Sequence, residues 1–161
     1  LIEETTGSVA VSLSDSRVRF AFDDAILTSK LIDGSFPDYH RVIPTNNDKA
    51  LEVDRKSFRD AVDRVSTISS EKSRAVKLSL KSGTLTLSAT SAEQGSATEE
   101  LEVKYEGSPI DIGFNSRYLL DIADEIEGDG MQIMLADSVA PTLMRDMADA
   151  MALYVLMPMR V

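Results

Sequence analysis

The chain has 161 residues, is 43% hydrophobic and carries a formal net charge of −10. This length and apolar content are enough for one ordinary domain, or one and a half small ones, with a packed core. Such an acidic chain should not bind nucleic acid through bulk electrostatics. In addition, no apolar run approaches the roughly 20 residues of a membrane span, so no membrane partner is expected.

Cysteine is absent, which excludes disulfides and thiolate metal sites and fits a reducing cytoplasm. The only histidine is His40, so a histidine-rich metal cluster is excluded as well. We therefore expect no cofactor and no metal.

Alternating apolar and polar residues predict half-buried strands along most of the chain. The predicted strands lie at 9–13, 18–22, 51–53, 76–80, 84–89, 98–105, 110–114, 131–136, 141–146 and 152–157. Polar residues at 14–16 and 81–83 predict hairpin turns.

Two segments have helical spacing of their apolar residues instead, one from Ser57 and one from Asn115. Ser57 and Asn115 (or Ser116) are candidate N-caps. Gly128 is predicted to end the second helix in a left-handed cap.

The predicted elements repeat with a period of about 59 residues. Each unit has a short strand, a helix and three strands. Residues 9–32 resemble the three-strand half of a third unit, with 1–7 as the end of its missing helix. The chain is therefore expected to begin inside a repeat and to be a fragment. Residues 33–50, with Pro37 and Pro44, are interpreted as an interdomain connector that is apolar enough to pack on something.

Catalytic motifs are not evident. Asp23-Asp24 and Glu99-Glu100 are adjacent carboxylates, but neighbours on a strand point to opposite faces and do not form an acid–base pair. His40 has no nucleophile motif beside it. Nothing in the sequence indicates an enzyme.

The first predicted helix carries four cations that are candidates for DNA contact, although an ordinary amphipathic helix explains them equally well. They are Arg55, Lys56, Arg59 and Arg64. The second helix is acidic.

The last eight residues are YVLMPMRV. Pro158 should stop strand pairing, so a final core strand explains 154–156 well and 157–161 poorly. Met157 and Met159 are flexible and polarisable, as at surfaces that accept varied partners.

Three segments together, IDGSFPDYHRVIP (32–44), IGFNSRYLLD (112–121) and ALYVLMPMRV (152–161), strongly resemble the bacterial sliding clamp, the beta subunit of DNA polymerase III. The resemblance implies the α+β DNA-clamp fold, with antiparallel sheets and two helices per domain. It implies that 1–44 are the end of a middle domain plus connector and that 45–161 are a complete third domain.

In that family two chains close head to tail around duplex DNA without sequence specificity. The resemblance therefore implies a non-catalytic, cytoplasmic processivity factor of DNA replication. Its implied partners carry a Gln/Leu/Phe-type linear motif: the DNA polymerase III alpha subunit, clamp-loader subunits, other polymerases and repair proteins. The motif docks in an apolar groove between the middle and third domains.

The positions that match the family's groove come from the connector, the second helix and the tail. They are Pro37, Arg41, Val42, Asn115, Tyr118, Val139, Val155, Leu156, Met157, Pro158, Met159 and Arg160. Ser73 and Pro141 depart from the usual groove residues, which opens one side and puts one hydrogen bond in doubt. The implied dimer-interface residues are Ile68, Glu93, Glu99 and Glu100.

Two alternatives stay open at this point: an unrelated repeat protein that is a binding module, and a hydrolase using surface carboxylates. The clamp interpretation predicts binding of Gln/Leu/Phe-type peptides; the first alternative predicts no such preference, and the second predicts turnover. We also expect that the 161-residue chain does not close a ring; a ring-shaped dimer seen by light scattering and electron microscopy would contradict this.

Overall fold

The computed structural model describes residues 7–35, 38–69, 74–149 and 151–161. The chain divides into two compact units, Leu1–Asp38 and Tyr39–Val161. Residues 1–6 of the expected partial helix, Pro37 in the connector and Ser73 lie outside the described residues. The predicted domain boundary after residue 44 stays a prediction.

The first unit contains a three-stranded antiparallel sheet in the order β1 (Ala10–Leu13), β2 (Arg17–Phe22) and β3 (Ala25–Lys30). The turn predicted between the first two strands is present, because Leu13 pairs with Val18. Alternation does not lead to burial here: Val11 and Leu27 flank Phe20 in register, yet they are 57% and 43% exposed.

The second unit begins with a short 3-10 helix, Tyr39–Arg41, and continues in two halves. The first half consists of β4 (Lys49–Asp54), α1 (Arg55–Ser66), β5 (Ala75–Lys81), β6 (Thr84–Ser91), β7 (Gly95–Glu102) and β8 (Lys104–Tyr105). The second half consists of β9 (Ile110–Asn115), α2 (Ser116–Glu125), β10 (Gly130–Leu135), β11 (Thr142–Asp146) and β12 (Tyr154–Leu156). The period of about 59 residues stays a prediction.

These strands form two antiparallel sheets, in the orders β12-β11-β10-β4-β8 and β7-β6-β5-β9. The helices pack against each other and on the sheets, and one apolar core includes Phe58, Leu78, Phe114, Leu119 and Ile133, each at most 1% exposed. The predicted class, α+β with antiparallel sheets and two helices, is confirmed.

The predicted strand 98–105 is wrong as a single element, because the chain changes sheets inside it. β7 ends at Glu102 and pairs with β6, whereas β8 begins at Lys104 and pairs with β4 of the other sheet. Between them, the Val103 amide donates to the Gly83 carbonyl at 3.0 Å. The alternating pattern runs through this point without a break, so it does not reveal the change of sheet.

The N-cap of α1 is Asp54, not Ser57 as predicted. The Asp54 carboxylate accepts the Ser57 amide at 2.7 Å, which satisfies one of the unpaired donors of the first turn. Hydrogen bonding to the side chain of Ser57, and then to its backbone amide, lowers the pKa of Asp54. The prediction for α2 is confirmed: Asn115 caps it and accepts the Arg117 amide at 3.0 Å.

Gly128 does not form the predicted left-handed cap of α2. The helix is capped at Ile126 in an extended conformation. Gly128 is instead required for a close approach, because a Cβ there would lie about 2.4–3.0 Å from the Asp146 carboxylate, which accepts the Gly128 amide at 2.8 Å. The glycine makes room for a carboxylate that ties the end of α2 to β11.

The connector is fixed to the second unit by Asn47. Its side-chain amide donates to the carbonyls of Met134 and Pro141 at 2.8 and 3.0 Å. Lys49 adds a bond from its ammonium to the Ala136 carbonyl at 2.7 Å. The polar residues Asn47 and Lys49 make these contacts, whereas Tyr39 and Val42 are 54% and 56% exposed, so packing of the connector through its apolar residues stays a prediction.

Candidate functional site

The C-terminal tail joins the two sheets of the second unit. β12 pairs with β11, with Leu143 opposite Val155. After Pro158 the Met159 amide donates to the Gly113 carbonyl of β9 at 2.9 Å, which forms a bridge to the other sheet. The tail is thus held at both ends while Met157, between them, stays 63% exposed.

Gly113 allows this crossing. A Cβ at Gly113 would lie 2.6 Å from the Met159 carbonyl oxygen and even closer to the Val161 side chain. Real Cβ atoms do not approach a backbone oxygen so closely, so any larger residue must displace the tail.

One cavity, which we call the helix-side cavity, lies between α2 and the tail and has a volume of about 560 Å³. Its walls are mostly apolar, and Tyr118 on the helix is 54% exposed. Its lining residues are Tyr118, Asp121, Ile122, Leu153, Tyr154, Val155, Leu156 and Met157. Leu156 is only 8% exposed and belongs to the core, so neighbouring tail residues face opposite ways.

A second cavity, the tail cavity, has a volume of about 640 Å³ and a more polar wall. It is lined by Lys77, Asp111, Ile112, Gly113, Ser138, Val139, Pro158, Met159, Arg160 and Val161. Lys77 pairs with Asp111 at 2.8 Å, and this hydrogen bond lowers the pKa of Asp111.

Asp137 shapes the loop that carries Val139 at the tail cavity. Its carboxylate accepts the amides of Val139 and Ala140 at 2.8 and 2.7 Å, which lowers the pKa of Asp137. This turn holds Val139 73% exposed at the cavity rim.

The structure brings most of the predicted groove residues to these two cavities. Four of them line the helix-side cavity: Tyr118, Val155, Leu156 and Met157. Four others line the tail cavity: Val139, Pro158, Met159 and Arg160. Asn115 lines neither, and its side-chain oxygen Oδ1 accepts the Arg117 amide in the helix cap. Arg41 and Val42 lie in and just after the 3-10 helix, outside both linings, and Val42 is 56% exposed.

Sequence reasoning missed several wall residues. Ile122 follows Tyr118 by one helical turn, and that i, i+4 spacing could have found it. Leu153 and Tyr154 directly precede the predicted tail set. Lys77 on β5 and Asp111 on β9 are diagonal neighbours, because Lys77 pairs with Gly113 and Asp111 with Ser79, and no local pattern predicts their contact.

The cations of α1 are largely bonded within the chain. Arg55 donates to the Gly128 carbonyl at 2.9 Å. Arg59 pairs with Asp124 of α2 at 2.9 Å. Lys56, in contrast, is exposed.

Arg64 engages Glu99 on β7 with two guanidinium nitrogens, at 3.0 and 2.5 Å. The pair raises the pKa of Arg64 and lowers that of Glu99. A predicted DNA-facing cation and a predicted interface carboxylate therefore contact each other.

β7 is an edge strand of its four-stranded sheet. On and before it, Glu93 and Glu100 are exposed, whereas Ile68, at the end of α1, is partly buried. The exposed carboxylates give this edge a negative charge.

Within the described ranges, no group of three or more possible ligands is placed to hold a metal ion. No helix in the same ranges is long and apolar enough to cross a membrane.

Comparison with known proteins identifies the family. Residues 40–160 match the family described as DNA polymerase III beta subunit, C-terminal domain. The beta sliding clamp of Caulobacter vibrioides is 51% identical over 161 residues, which are 100% of this chain and 43% of that protein.

Solved structures agree with this match. A sliding clamp from Bartonella birtlesii bound to griselimycin has a TM-score of 0.87 and 52% identity, covering 99% of this chain and 43% of that one. The Caulobacter crescentus beta sliding clamp with PEG bound has a TM-score of 0.88 and 51% identity, with coverage of 99% and 43%. The chain thus spans less than half the length of these relatives, and it belongs to the family of bacterial sliding clamps, the beta subunits of DNA polymerase III.

Proposed function

We propose that this chain is the C-terminal portion of a ring-forming processivity factor that encircles duplex DNA. In this proposal two full-length chains assemble head to tail in the cytoplasm, and the ring tethers the replicative polymerase. It has no catalytic role. Its partners, the polymerase alpha subunit, clamp-loader subunits, other polymerases and repair proteins, dock through Gln/Leu/Phe-type motifs.

The observation that carries the proposal is the exposed apolar tail beside Tyr118. The tail is held at both ends, by β11 and by Gly113, so Met157 stays on the surface in a fixed position. A preformed apolar cleft of about 560 Å³ suits the anchor side chains of a short peptide.

The two cavities suit different parts of such a motif. The helix-side cavity is mostly apolar and would take the Leu and Phe anchors. The tail cavity contains Lys77, Asp111 and Arg160, which can hydrogen-bond the glutamine side chain and peptide backbone. This division assigns the apolar end of the motif to Tyr118 and Met157.

The charge distribution supports sliding rather than tight DNA binding. Arg55, Arg59 and Arg64 already have partners within the chain, so they are less available to phosphates. Since affinity for DNA grows with the number of phosphates neutralised, a helix whose arginines already have partners holds DNA weakly. A ring that encircles DNA stays on it without strong phosphate contacts.

Fluorescence anisotropy of a labelled Gln-Leu-Ser-Leu-Phe peptide tests the groove. We expect saturable binding that Tyr118→Ala and Met157→Ala each weaken about five-fold or more, as is usual for central anchor residues. Met151→Ala is the matched control, because Met151 is 92% exposed and outside both cavity linings. It should bind like the wild type.

The outcome that contradicts the proposal is equally concrete. If this chain, and also a chain extended to the full length of its relatives, shows no saturable binding, the tail is not a peptide site. Equal weakening by Met151→Ala would show that the effect is not specific to the groove.

A further inference from the structure

The methionines of this chain differ widely in exposure. Met131 and Met144 are fully buried in the core, at 0%. Three others are open to solvent: Met147 at 49%, Met151 at 92% and Met157 at 63%. A dissolved oxidant can therefore reach the second group and not the first.

Met157 differs from the other exposed methionines in what surrounds it. Its side chain lines the helix-side cavity with Tyr118 and Ile122, whereas Met147 and Met151 line neither cavity of the groove. The backbone on either side is fixed by β12 pairing and by the Met159 amide. A chemical change at this sulfur therefore alters the wall of the cavity itself.

We propose that Met157 is a modification site, and that its oxidation to methionine sulfoxide closes the groove to apolar peptides. This inference rests on the proposed function of the groove. The oxidant is a hydroperoxide such as hydrogen peroxide.

The step balances as a two-electron oxygen transfer. The thioether sulfur attacks one peroxide oxygen with a lone pair, the O–O bond breaks, and an S–O bond forms. The departing hydroxide takes the proton from the transferred oxygen, so the sulfur is oxidised to the sulfoxide and hydrogen peroxide is reduced to water. Methionine sulfoxide reductases reverse the change, so the modification can act as a switch.

The consequence follows from the chemistry of the cavity. A sulfoxide oxygen is a strong acceptor that water satisfies while the cavity is empty. When the Leu or Phe of a peptide covers it, that water is displaced, and the side-chain donors left in the lining are the hydroxyls of Tyr118 and Tyr154. The apolar anchor then meets a polar sulfoxide in place of the thioether, and this loss of apolar contact weakens binding about ten-fold.

The experiment compares peptide affinity before and after a limited treatment of this chain with hydrogen peroxide, while mass spectrometry of peptide fragments locates each sulfoxide. We expect oxidation at the three exposed methionines before Met131 and Met144. We expect the anisotropy titration to give an affinity about ten-fold weaker, restored by methionine sulfoxide reductases.

Two variants locate the effect. For each variant, the peptide affinity after oxidation is compared with the affinity before oxidation. A difference in starting affinity between the variants therefore does not affect the comparison. In Met157→Leu, which cannot be oxidised at this position, the ratio of the two affinities should be close to one. In Met151→Leu the ratio should stay near ten.

Three results would overturn the inference. Wild-type affinity could survive complete oxidation of Met157, or Met157→Leu could lose as much affinity as the wild type, or Met157 could resist oxidation while Met131 reacts. The untreated titration separates this inference from the proposed function. No binding before oxidation, both in this chain and in a chain extended to full length, contradicts both, whereas binding that oxidation does not change contradicts only the switch.

Discussion

Helix α1 and the C-terminal tail differ in whether their interacting side chains have partners within the chain. On α1, Arg55, Arg59 and Arg64 have partners within the chain. On the tail, Met157 is held in place and left uncovered beside Tyr118. One region satisfies its charged groups internally, and the other keeps apolar surface open.

This difference shows where the molecule can make new contacts. A cation that already bonds a carboxylate must exchange that partner before it binds anything else, and an exposed pair contributes little either way. An apolar cavity has no partner to exchange, and covering it removes apolar area from water. We therefore expect partner binding to concentrate at the tail, and substitutions in each region test this difference.

The largest effect on stability is expected in the tail, where one face is in the core and the other is exposed. Leu156→Ala empties a core position and should lower the free energy of unfolding by about 2–5 kcal/mol. Met157→Ala, one residue later and exposed, should change it by no more than about 0.5 kcal/mol. Urea denaturation followed by circular dichroism measures both. Equal losses would show that Met157 is a core residue and that the tail has no binding face.

The next effect concerns the crossing of the tail over β9. Gly113→Ala places a Cβ against the Met159 carbonyl and the Val161 side chain, so we expect a loss of about 1–3 kcal/mol and weaker peptide binding. Val161→Gly in the same chain should recover part of the stability, because one of the two contacts is relieved. If Gly113→Ala is as stable as the wild type, the tail is not held at this point.

A smaller effect is expected on α1. Arg55→Met removes a charged hydrogen bond to the Gly128 carbonyl, so stability should fall by about 1–2 kcal/mol. Lys56→Met is the matched control on the next residue, and should stay within about 0.5 kcal/mol of the wild type. The same urea series compares them. Equal stability of the two variants would mean that the hydrogen bond of Arg55 within the chain does not stabilise the fold.

The smallest effect concerns Arg64 and Glu99 and depends on pH. Arg64 lowers the pKa of Glu99, so the pair stabilises the fold above the ordinary carboxyl pKa and loses this contribution as the pH falls through the lowered value. The difference in denaturation midpoint between wild type and Arg64→Met should be small at pH 7, reduced by salt, and smaller still below about pH 4.

Glu100→Gln is the control for that pH series, because Glu100 is the exposed neighbour of Glu99 on the same edge strand. It leaves the Arg64–Glu99 pair intact and should therefore keep the pH-dependent contribution of that pair. A difference for Arg64→Met that stays constant from pH 7 to pH 3 would contradict the assignment of this pair.

Local patterns anticipated much of this molecule. Alternation and helical spacing predict most of the strands and both helices, and Asn115 is predictable as a cap because its side chain acts on its own helix. They failed where two local signals compete or where distant chain segments meet. Asp54 and Ser57 both suit an N-cap, and only the folded backbone shows that the carboxylate accepts the Ser57 amide.

Glycine gave a related ambiguity. A glycine at position 128 is compatible with either a left-handed conformation or a close approach of another group, and the sequence does not distinguish them. The structure shows a close approach, by the Asp146 carboxylate. For the groove, the tail positions could be predicted from their apolar character beside Pro158. The pairing of Lys77 with Asp111 could not, because it depends on the register between β5 and β9.

The most direct test of the groove uses the methionine methyl groups as reporters. The chain, labelled with ¹³C at its seven methionine methyls and assigned by single Met→Leu variants, is titrated with the Gln-Leu-Ser-Leu-Phe peptide. We predict that the signals of Met157 and Met159 shift saturably while those of Met131, Met144 and Met151 stay unchanged. Shifts confined to Met147 or Met151, or no shifts in a chain extended to full length, would contradict a peptide site at the tail.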